Sequence, residues 1–181
     1  MAKDRNNQDL DENGYRRNVG IIICNHEAEV LWARRVRHDG WQFPQGGVEP
    51  DEDAREAVFR ELYEEIGLLP HQVRLLGSTS SWLHYDVPRH HCCYRRSPNF
   101  RGQKQRWFLF RFMGKESDVC LDRCNKPEFD SWCWVDYWHP LHNIVAFKKG
   151  VYRQALTELE PLLRTLGNQP ELVARQLHPS R

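Results

Sequence analysis

The order of apolar segments in this chain predicts an α+β fold in which two helices enclose a mixed β-sheet. Short apolar runs typical of strands lie on both sides of an acidic amphipathic segment, and a second amphipathic segment follows near the C-terminal end. Hydrophobic residues make up 40% of the chain, with seven Trp and eight Phe, which is enough for a substantial core. Two helices with a sheet between them form layers that bury every apolar face.

Two strands are predicted before the acidic segment. Residues 18–24 contain a continuous apolar run, which indicates a buried strand. Residues 29–37 predict a second strand, and the turn at 25–27 joins the two as a hairpin. Residues 41–44 then lead in extended form to the acidic segment.

The acidic segment, residues 46–68, reads GGVEPDEDAREAVFRELYEEIGL and is predicted to form a helix. Asp51 is the expected N-cap, Asp53 and Glu56 place negative charge in the first turns, and Gly67 is suited to ending the helix. The apolar residues of this helix fall on a single arc. They are Val58, Phe59, Leu62 and Ile66.

Three carboxylates, Glu61, Glu64 and Glu65, lie off that arc at spacings i, i+3 and i+4, so they are expected to converge on one edge of the helix. Arg60 can pair with Glu52 or Glu64 but not with the whole set. Taken alone, the pattern is compatible with a solvated acidic face. It also suits a hard divalent cation, Mg²⁺ or Mn²⁺, that holds a polyphosphate and activates water.

The second half of the chain begins after Pro70. Its predicted elements are strands at residues 73–85, 106–113 and 129–135, a short helix at 140–147, and an amphipathic helix at 149–166 with a kink at Pro161. Residues 87–105 are predicted to be a long loop, and such loops in compact domains are usually functional or disordered. Six Lys or Arg and no acidic residue occur from Arg89 to Arg106, so this loop suits an anion channel.

Length and composition predict one domain, residues 14–166, with flexible tails at 1–13 and 167–181. A net charge of +1 indicates no particular partner. No signal peptide and no apolar run of membrane-spanning length is found, so no membrane partner is expected. Cys120-x₃-Cys124 and His90–Cys93 raise the alternative of a zinc site, but paired CxxC spacings are absent. Reduced thiols in a cytoplasmic protein are the preferred interpretation.

The acidic segment fits the Nudix motif G-x5-E-x7-R-E-U-x-E-E-x-G-U, in which U is a bulky aliphatic residue, at every fixed position. The chain therefore resembles the Nudix hydrolase family, and the resemblance implies an α/β/α sandwich with a mixed sheet. The Gly46-Gly47 turn lets the backbone approach a metal or phosphate closely. The motif residues are Gly46, Gly47, Glu52, Arg60, Glu61, Glu64, Glu65 and Gly67.

Several segments outside the motif resemble bacterial RNA pyrophosphohydrolases over residues 14–160. They are GYRRNVG at 14–20, WARR at 32–35, WQFPQGG at 41–47, GQKQ at 102–105, PEFD at 127–130 and VAFK at 145–148. That likeness implies hydrolysis of the 5′-triphosphate end of RNA to a monophosphate with release of pyrophosphate, a step that promotes mRNA decay. Arg17, where these enzymes usually have Pro, and Gly40, where Ser is common, depart from the pattern.

The resemblance also implies roles for individual residues. Glu61, Glu64 and Glu65 are the catalytic candidates, and the same three with Glu128 and the Gly46 carbonyl are expected to hold the metal. Glu61 is the first choice for an indispensable residue, while the identity of the general base stays open. The substrate contacts are expected to be Arg16 and Lys148 at the phosphates, Arg35 and Phe147 on either face of an RNA base, and Tyr85. For Arg35 and Lys148 the alternative is a solvated surface charge, for Arg16 a charge at a strand end, for Glu128 a surface position and for Phe147 a core position.

The implied cofactor is Mg²⁺, with Mn²⁺ or Zn²⁺ as alternatives, and the implied partner is a triphosphorylated RNA 5′ end. No DNA partner is expected, no protein partner is indicated, and a monomer is the working expectation. A dinucleoside polyphosphate hydrolase using the same metal site is the first alternative function. A noncatalytic Nudix-fold binding module is the second, and it is disfavoured because such modules typically lose the acidic residues.

Overall fold

A mixed eight-stranded β-sheet forms the centre of the molecule in a computed structural model that describes residues 10–36, 40–89 and 99–164. The strands are β1 (Tyr15–Cys24), β2 (Val30–Arg35), β3 (Trp41–Gln42), β4 (Gln45–Gly47), β5 (Val73–Ser78), β6 (Leu83–Asp86), β7 (Gly102–Phe112) and β8 (Phe129–Val135). Five of them run in the order β3-β2-β1-β7-β5, while β4 pairs with β1, β6 with β7 and β8 with β2. Only the central β1–β7 pair is parallel among the pairings of the described strands.

Strand β1 is buried on both faces, which explains its continuous apolar sequence. Val19, Ile21 and Ile23 belong to one core cluster, and Ile22 and Cys24 belong to the other. Because successive side chains of a strand point to opposite faces, a strand covered on both sides has no polar alternation. The predicted strand and hairpin are confirmed, although β1 begins earlier than predicted, at Tyr15.

The acidic segment forms helix α1 (Ala54–Glu61), which continues into a π-helical turn (Leu62–Ile66). Asp53, not the predicted Asp51, is the N-cap. Its side chain accepts hydrogen bonds from the main-chain N–H groups of Arg55 and Glu56, and Glu56 bonds back to the Asp53 N–H in a capping box. Gly67 ends the segment with φ of 76°, as predicted for a left-handed helix end.

Helix α3 (Lys149–Arg164) covers the opposite face of the sheet. Its buried residues pack in the second core cluster with Phe43 and Trp107: they are Val151, Tyr152, Ala155, Leu156 and Leu159. The short helix α2 (His139–Asn143) and a 3₁₀ turn (Ala146–Lys148) precede it, where a single helix at 140–147 was predicted. Helices therefore lie on both faces of a mixed sheet, and the predicted sandwich is confirmed.

Two predictions for the second half of the chain are wrong. The strand predicted at 73–85 is two strands, β5 and β6, which both pair with β7 and are separated by residues 79–82. Strand β7 begins at Gly102, not at 106, because its polar first residues pair with β1 on one side and β6 on the other. The long loop therefore ends at 101.

The tails at 1–9 and 165–181 lie outside the described residues, as do residues 37–39 and 90–98, which include the His90–Cys93 segment. Residues 10–13 form a turn in which the Asp11 carboxylate accepts a hydrogen bond from Lys104 Nζ at 2.6 Å. In the described part of the chain, no helix combines the length and apolar character needed to span a membrane.

Candidate active site

An open cleft brings together residues that are far apart in the sequence. It is lined by Asn18, Arg35, Gln42, Gln45, Gly46, Gly47, Glu65, Tyr85, Val87, Phe100, Gln103, Glu128, Phe147 and Lys148. The predicted metal ligands Gly46, Glu65 and Glu128 thus share one cleft with all the predicted substrate contacts except Arg16. Strands β3, β4, β6 and β7, the π-helical turn and the 3₁₀ turn before α3 position these side chains.

Glu61 lies directly behind the glycine turn of β4. It is 9% exposed, and a Cβ on Gly46 would overlap the Glu61 carboxyl group. Burial raises the Glu61 pKa, an effect that the neighbouring Arg60 guanidinium opposes. Strand β4 covers this carboxylate, so it is buried although it lies off the apolar arc of the helix. Glycine at position 46 is what allows strand and carboxylate to approach so closely.

Arg60 is the main counterion of the acidic segment. Its guanidinium donates to Glu52, to Glu61 Oε1 at 2.8 Å, to Glu64 Oε2 at 3.3 Å and to the Gly47 carbonyl at 2.7 Å. The bonds to Arg60 hold the Glu52 pKa below its usual range. The predicted pairs with Glu52 and Glu64 both form, and Glu61 is an additional partner. Arg60 therefore fixes three carboxylates against the glycine turn.

Glu65 is held differently from the other two carboxylates. Its Oε2 accepts a hydrogen bond from the main-chain N–H of Gln45 at 2.9 Å. Burial raises the Glu65 pKa well above its usual value, and the negative charges of Glu61 and Glu128 raise it further. Glu128 in turn lies 2.9 Å from both Nε and Nη2 of Arg35. Glu65 and Glu128 thus have donors other than Arg60.

The predicted convergence of the three carboxylates is not seen in this arrangement. Within residues 10–36, 40–89 and 99–164, no three His, Cys, Asp or Glu side chains lie close enough together to hold a metal ion. Like-charged groups repel, and Arg60 draws Glu61 and Glu64 to one side while the Gln45 N–H draws Glu65 to another.

The donor set nonetheless fits a divalent cation. Glu65 is a largely buried carboxylate beside the negative charges of Glu61 and Glu128, and within the described residues its hydrogen-bond donor is a neutral main-chain N–H. The neighbouring groups are hard oxygen ligands, which Mg²⁺ and similar ions prefer. The absence of a Cβ at Gly46 lets the Glu61 carboxyl group lie directly against the glycine backbone. The residues that would hold the ion are those predicted: Gly46, Glu61, Glu64, Glu65 and Glu128.

Lys148 and Tyr85 form the other wall of the cleft. The buried Lys148 ammonium donates to Gln42 Oε1 at 3.1 Å and to Gln45 Oε1 at 3.2 Å. Burial lowers its pKa to about 8, and the Arg35 charge contributes to the lowering. Tyr85 donates its hydroxyl to Gln103 Oε1 at 2.7 Å.

Phe147 is half-buried at the mouth of this wall. Its ring centroid lies 6.0 Å from that of Tyr85 with an interplanar angle of 33°, and it also packs against the core. Arg16 approaches the glycine turn, since a Cβ on Gly47 would be 3.1 Å from Arg16 Nη2. Arg35 donates to Glu128 at 2.9 Å.

Three glutamines in the cleft carry contacts that the sequence prediction missed: Gln42, Gln45 and Gln103. They occur in the segments WQFPQGG and GQKQ, so the similarity of those segments to known enzymes was the available signal. Of the basic stretch, Arg95 and Arg96 lie outside the described residues. Arg101 is paired with Asp86 at 3.2 Å and lies over the Tyr15 ring.

Comparison with known proteins places this geometry in context. A model of the NUDIX domain matches residues 14–155. An RNA pyrophosphohydrolase of Hahella chejuensis is 50% identical over 154 residues, covering 85% of this chain and 96% of that protein. One from a Marinomonas species is 53% identical over 152 residues, covering 84% and 94%. A crystal structure of a C. elegans Ap4A hydrolase complex superposes with a TM-score of 0.59 at 19% identity, covering 82% of this chain and 98% of that one.

Proposed function

The chain belongs to the Nudix family, and on that premise we propose that it is an RNA pyrophosphohydrolase, which converts the 5′-triphosphate end of RNA to a monophosphate and releases pyrophosphate. The observation that carries the proposal is the 50–53% identity to RNA pyrophosphohydrolases over most of both chains. The cleft supports it, because its acidic wall, formed by Glu65 and Glu128, faces a wall that contains the buried Lys148 ammonium and aromatic rings.

The acidic wall is proposed to work with a divalent cation, Mg²⁺ first and Mn²⁺ or Zn²⁺ as alternatives. When bound, such a cation makes a water molecule more acidic and offsets negative charge on the phosphates. Glu61, Glu64, Glu65, Glu128 and the Gly46 carbonyl would hold it. One of the three helix carboxylates accepts the proton of the attacking water. Arg60 keeps Glu61 and Glu64 in place through its bonds to both.

The opposite wall is proposed to bind the triphosphate. Lys148 offers a buried positive charge, and Arg16 reaches the glycine turn from strand β1. A phosphate between them would receive hydrogen bonds from two cations, and bonds of that type are roughly twice as strong as neutral ones. The leaving pyrophosphate keeps these contacts while the RNA departs with a monophosphate.

The RNA chain is proposed to be held by stacking of a base on Phe147, with Arg35 on its other face. The Arg35–Glu128 pair, whose side chains are 37% and 40% exposed, must open for this arrangement. Exposed ion pairs contribute only about 0–1 kcal/mol, whereas a stacked base contributes about 1–3 kcal/mol. Stacking can therefore replace the ion pair at no net cost.

The experiment that tests the proposal compares triphosphorylated RNA with diadenosine tetraphosphate, each with Mg²⁺ under the same conditions. We expect kcat/KM to be higher for RNA by about tenfold or more, because RNA offers additional stacking contacts. The Ap4A hydrolase likeness carries only the fold, so it does not favour the alternative. A higher kcat/KM for diadenosine tetraphosphate would assign the chain to dinucleoside polyphosphate hydrolysis.

The remaining parts of the proposal concern setting and partners. Primary transcripts are cytoplasmic in bacteria, so the proposed location is the cytoplasm. The protein is proposed to act as a monomer on the RNA 5′ end, without DNA or a membrane. A noncatalytic role is disfavoured because every acidic position of the motif is filled.

A further inference from the structure

The buried Lys148 ammonium has an unusual set of partners. It is 9% exposed and its hydrogen-bond acceptors are two carboxamide oxygens, those of Gln42 and Gln45. Within the described residues it forms an ion pair with no carboxylate, although Glu65 and Glu128 line the same cleft. A buried charge normally requires compensation by an opposite charge.

Carboxamide acceptors, unlike carboxylates, leave the positive charge of Lys148 in place. They satisfy the N–H donors of the ammonium and so reduce the cost of burying it, yet they leave its net charge in place. A glutamate at position 42 or 45 would have the same shape but would cancel that charge. Lys148 therefore remains available to an incoming anion.

Both glutamines are themselves held by the fold. Gln42 is 5% exposed on strand β3, where it pairs with Ala33 of β2. Gln45 Oε1 also accepts a hydrogen bond from Gln105 Nε2 at 3.3 Å, and that same nitrogen donates to Asn18 Oδ1 at 2.6 Å. A lysine side chain has many rotamers, so an unrestrained ammonium group can take many positions. Acceptors that are themselves fixed by the fold restrict the Lys148 ammonium to a small range of positions.

Gln45 also contacts the acidic wall. Its main-chain N–H donates to Glu65 Oε2 at 2.9 Å while its side chain accepts from Lys148. One residue thus sets the spacing between the buried cation and a carboxylate of the helix. The phosphate chain proposed above must fit that spacing.

We propose that Gln42 and Gln45 are positioning residues that hold the Lys148 ammonium toward the phosphates of the substrate while adding no negative charge of their own. Neither glutamine needs to touch the reacting atoms. The inference rests on the proposed function for the identity of the anion, a phosphate chain. It predicts that the neutrality of Gln42, and not only its hydrogen bond, is required.

The first test replaces Gln42 by its charged isostere. In Gln42→Glu we expect the KM for triphosphorylated RNA to rise by about tenfold or more, with a smaller change in kcat, because the new carboxylate neutralises Lys148. The variant should remain folded in a thermal melt, since Glu has the shape of Gln and its carboxylate has the Lys148 ammonium as a partner. A Gln42→Glu protein with a normal KM would overturn the proposal.

The second test separates positioning from structural support. Gln42→Met keeps the side-chain volume and removes one acceptor, so KM should rise several-fold, the size of effect that loss of one hydrogen bond to a charged group produces. In a Lys148→Met background the same Gln42→Met change should leave KM unaltered, because the group it positions is gone. Equal effects in both backgrounds would mean that Gln42 supports the fold only.

Pyrophosphate binding tests the positioning role of the glutamines independently of RNA hydrolysis. Calorimetric titration of wild type and Gln42→Glu with pyrophosphate and Mg²⁺ should show weaker binding to the variant by about tenfold. If the wild type fails to hydrolyse RNA but this difference is found, the proposed function fails and the positioning role stands. If RNA is hydrolysed but pyrophosphate binds both proteins equally, the positioning role fails.

Discussion

Glu61 is both a proposed metal ligand and part of the packed interior, because it is buried behind Gly46 and accepts a hydrogen bond from Arg60. Glu61→Gln keeps the shape and removes the charge. We predict a fall in kcat of about a hundredfold or more, since the placement of a metal governs both activation of water and stabilisation of charge. Steady-state kinetics on triphosphorylated RNA provide the measurement, and circular dichroism should show a folded protein.

A matched control for that variant is Glu56→Gln, which alters the capping box of the same helix outside the cleft. It should cost a few tenths of a kcal/mol to about 1 kcal/mol of stability through loss of a negative charge in the first turn, with near-normal kcat. Similar losses of kcat in the two variants would mean that helix integrity, and not the Glu61 charge, governs turnover.

Phe147 tests the proposed contact with an RNA base. Phe147→Ala should lower kcat/KM for triphosphorylated RNA by about tenfold or more, the equivalent of one lost stacked base at about 1–3 kcal/mol. Hydrolysis of a lone nucleoside triphosphate should change much less, because it does not extend to the stacked position. The ratio of the two rates is the quantity to measure.

Phe112→Ala is the control, because Phe112 is another partly buried phenyl ring that packs against Trp134, 5.7 Å away, in the other core cluster. It should lower stability and leave the ratio of RNA to nucleoside triphosphate turnover unchanged. If Phe147→Ala also leaves that ratio unchanged, Phe147 is a core residue, and the proposed stacking of an RNA base between Arg35 and Phe147 must be abandoned.

At the residue scale, the sequence predicted several of the side chains that line the cleft but not how they bond. The motif identified Glu61, Glu65 and Gly46, and similarity to known enzymes indicated Lys148. The bonds of Lys148 to Gln42 and Gln45 join positions more than a hundred apart, and no local pattern encodes such a pair. The burial of Glu61 likewise depends on β4 lying over the helix.

Among the elements, strand β4 and the acidic helix define the site by their close approach. Gly46→Ala should lower kcat strongly, by about a hundredfold or more, because the new methyl group occupies the space of the Glu61 carboxyl group and displaces it. The Tm should also fall by several degrees, since overpacking typically costs about 1–3 kcal/mol. Kinetics and a thermal melt on the same sample provide both readouts.

Gly150→Ala provides the comparison, because nothing lies within 4 Å of a Cβ built on Gly150 in the first turn of α3. That variant should keep its activity and gain up to about 1 kcal/mol of stability from helix propensity. Normal turnover by Gly46→Ala would contradict the close approach of β4 and Glu61.

The helix that carries the motif was predicted as one regular element, and this prediction was only partly right. Its glycine end was predicted correctly, because the left-handed helix end is local chemistry that is visible in the sequence, whereas its start is capped by Asp53 and not by the predicted Asp51. The π-helical turn at Leu62–Ile66 adds a residue to the turn and changes the direction in which Glu64 and Glu65 point relative to Glu61. Such turns arise from packing at functional sites, and apolar periodicity does not reveal them.

At the scale of the whole molecule, the layered sandwich follows from apolar segments that the sequence shows plainly. The division of residues 73–85 into β5 and β6 was not predictable in the same way, because both strands take their register from β7. The polar start of β7, Gly102 to Gln105, carries no apolar signal although Gln105 is fully buried. Polar residues buried at a functional site break the pattern on which sequence predictions rest.

Hydrolysis of RNA by this protein is predicted to require a divalent cation. EDTA should abolish hydrolysis of triphosphorylated RNA, and Mg²⁺ or Mn²⁺ should restore it, because the Glu65 carboxylate lies beside the negative charges of Glu61 and Glu128, which a cation would offset. Parallel titrations with Mg²⁺, Mn²⁺ and Zn²⁺ would rank the three ions. Full turnover in metal-free buffer would exclude the proposed role of the acidic wall.

Lys148 makes stability and substrate affinity respond to pH in opposite directions. Burial lowers its pKa from 10.5 to about 8, so the charged form costs roughly 3 kcal/mol in the folded protein. That cost is present in full below pH 8 and disappears between pH 8 and 10.5, because the unfolded chain then holds the proton longer than the folded one. The contribution of Lys148 to folding therefore becomes less unfavourable as the pH rises, while the loss of its charge weakens phosphate binding.

Lys148→Met isolates this contribution from the other titrating groups. The variant should be more stable than the wild type at pH 7, and the difference in free energy of unfolding should shrink as the pH rises through 8 toward 10.5. The KM of the wild type for triphosphorylated RNA should rise over the same range, and the KM of the variant should be high and flat. Urea melts and initial rates at pH 7, 8, 9 and 10 give both quantities. A stability difference independent of pH would show that the Lys148 ammonium keeps its ordinary pKa in the folded protein.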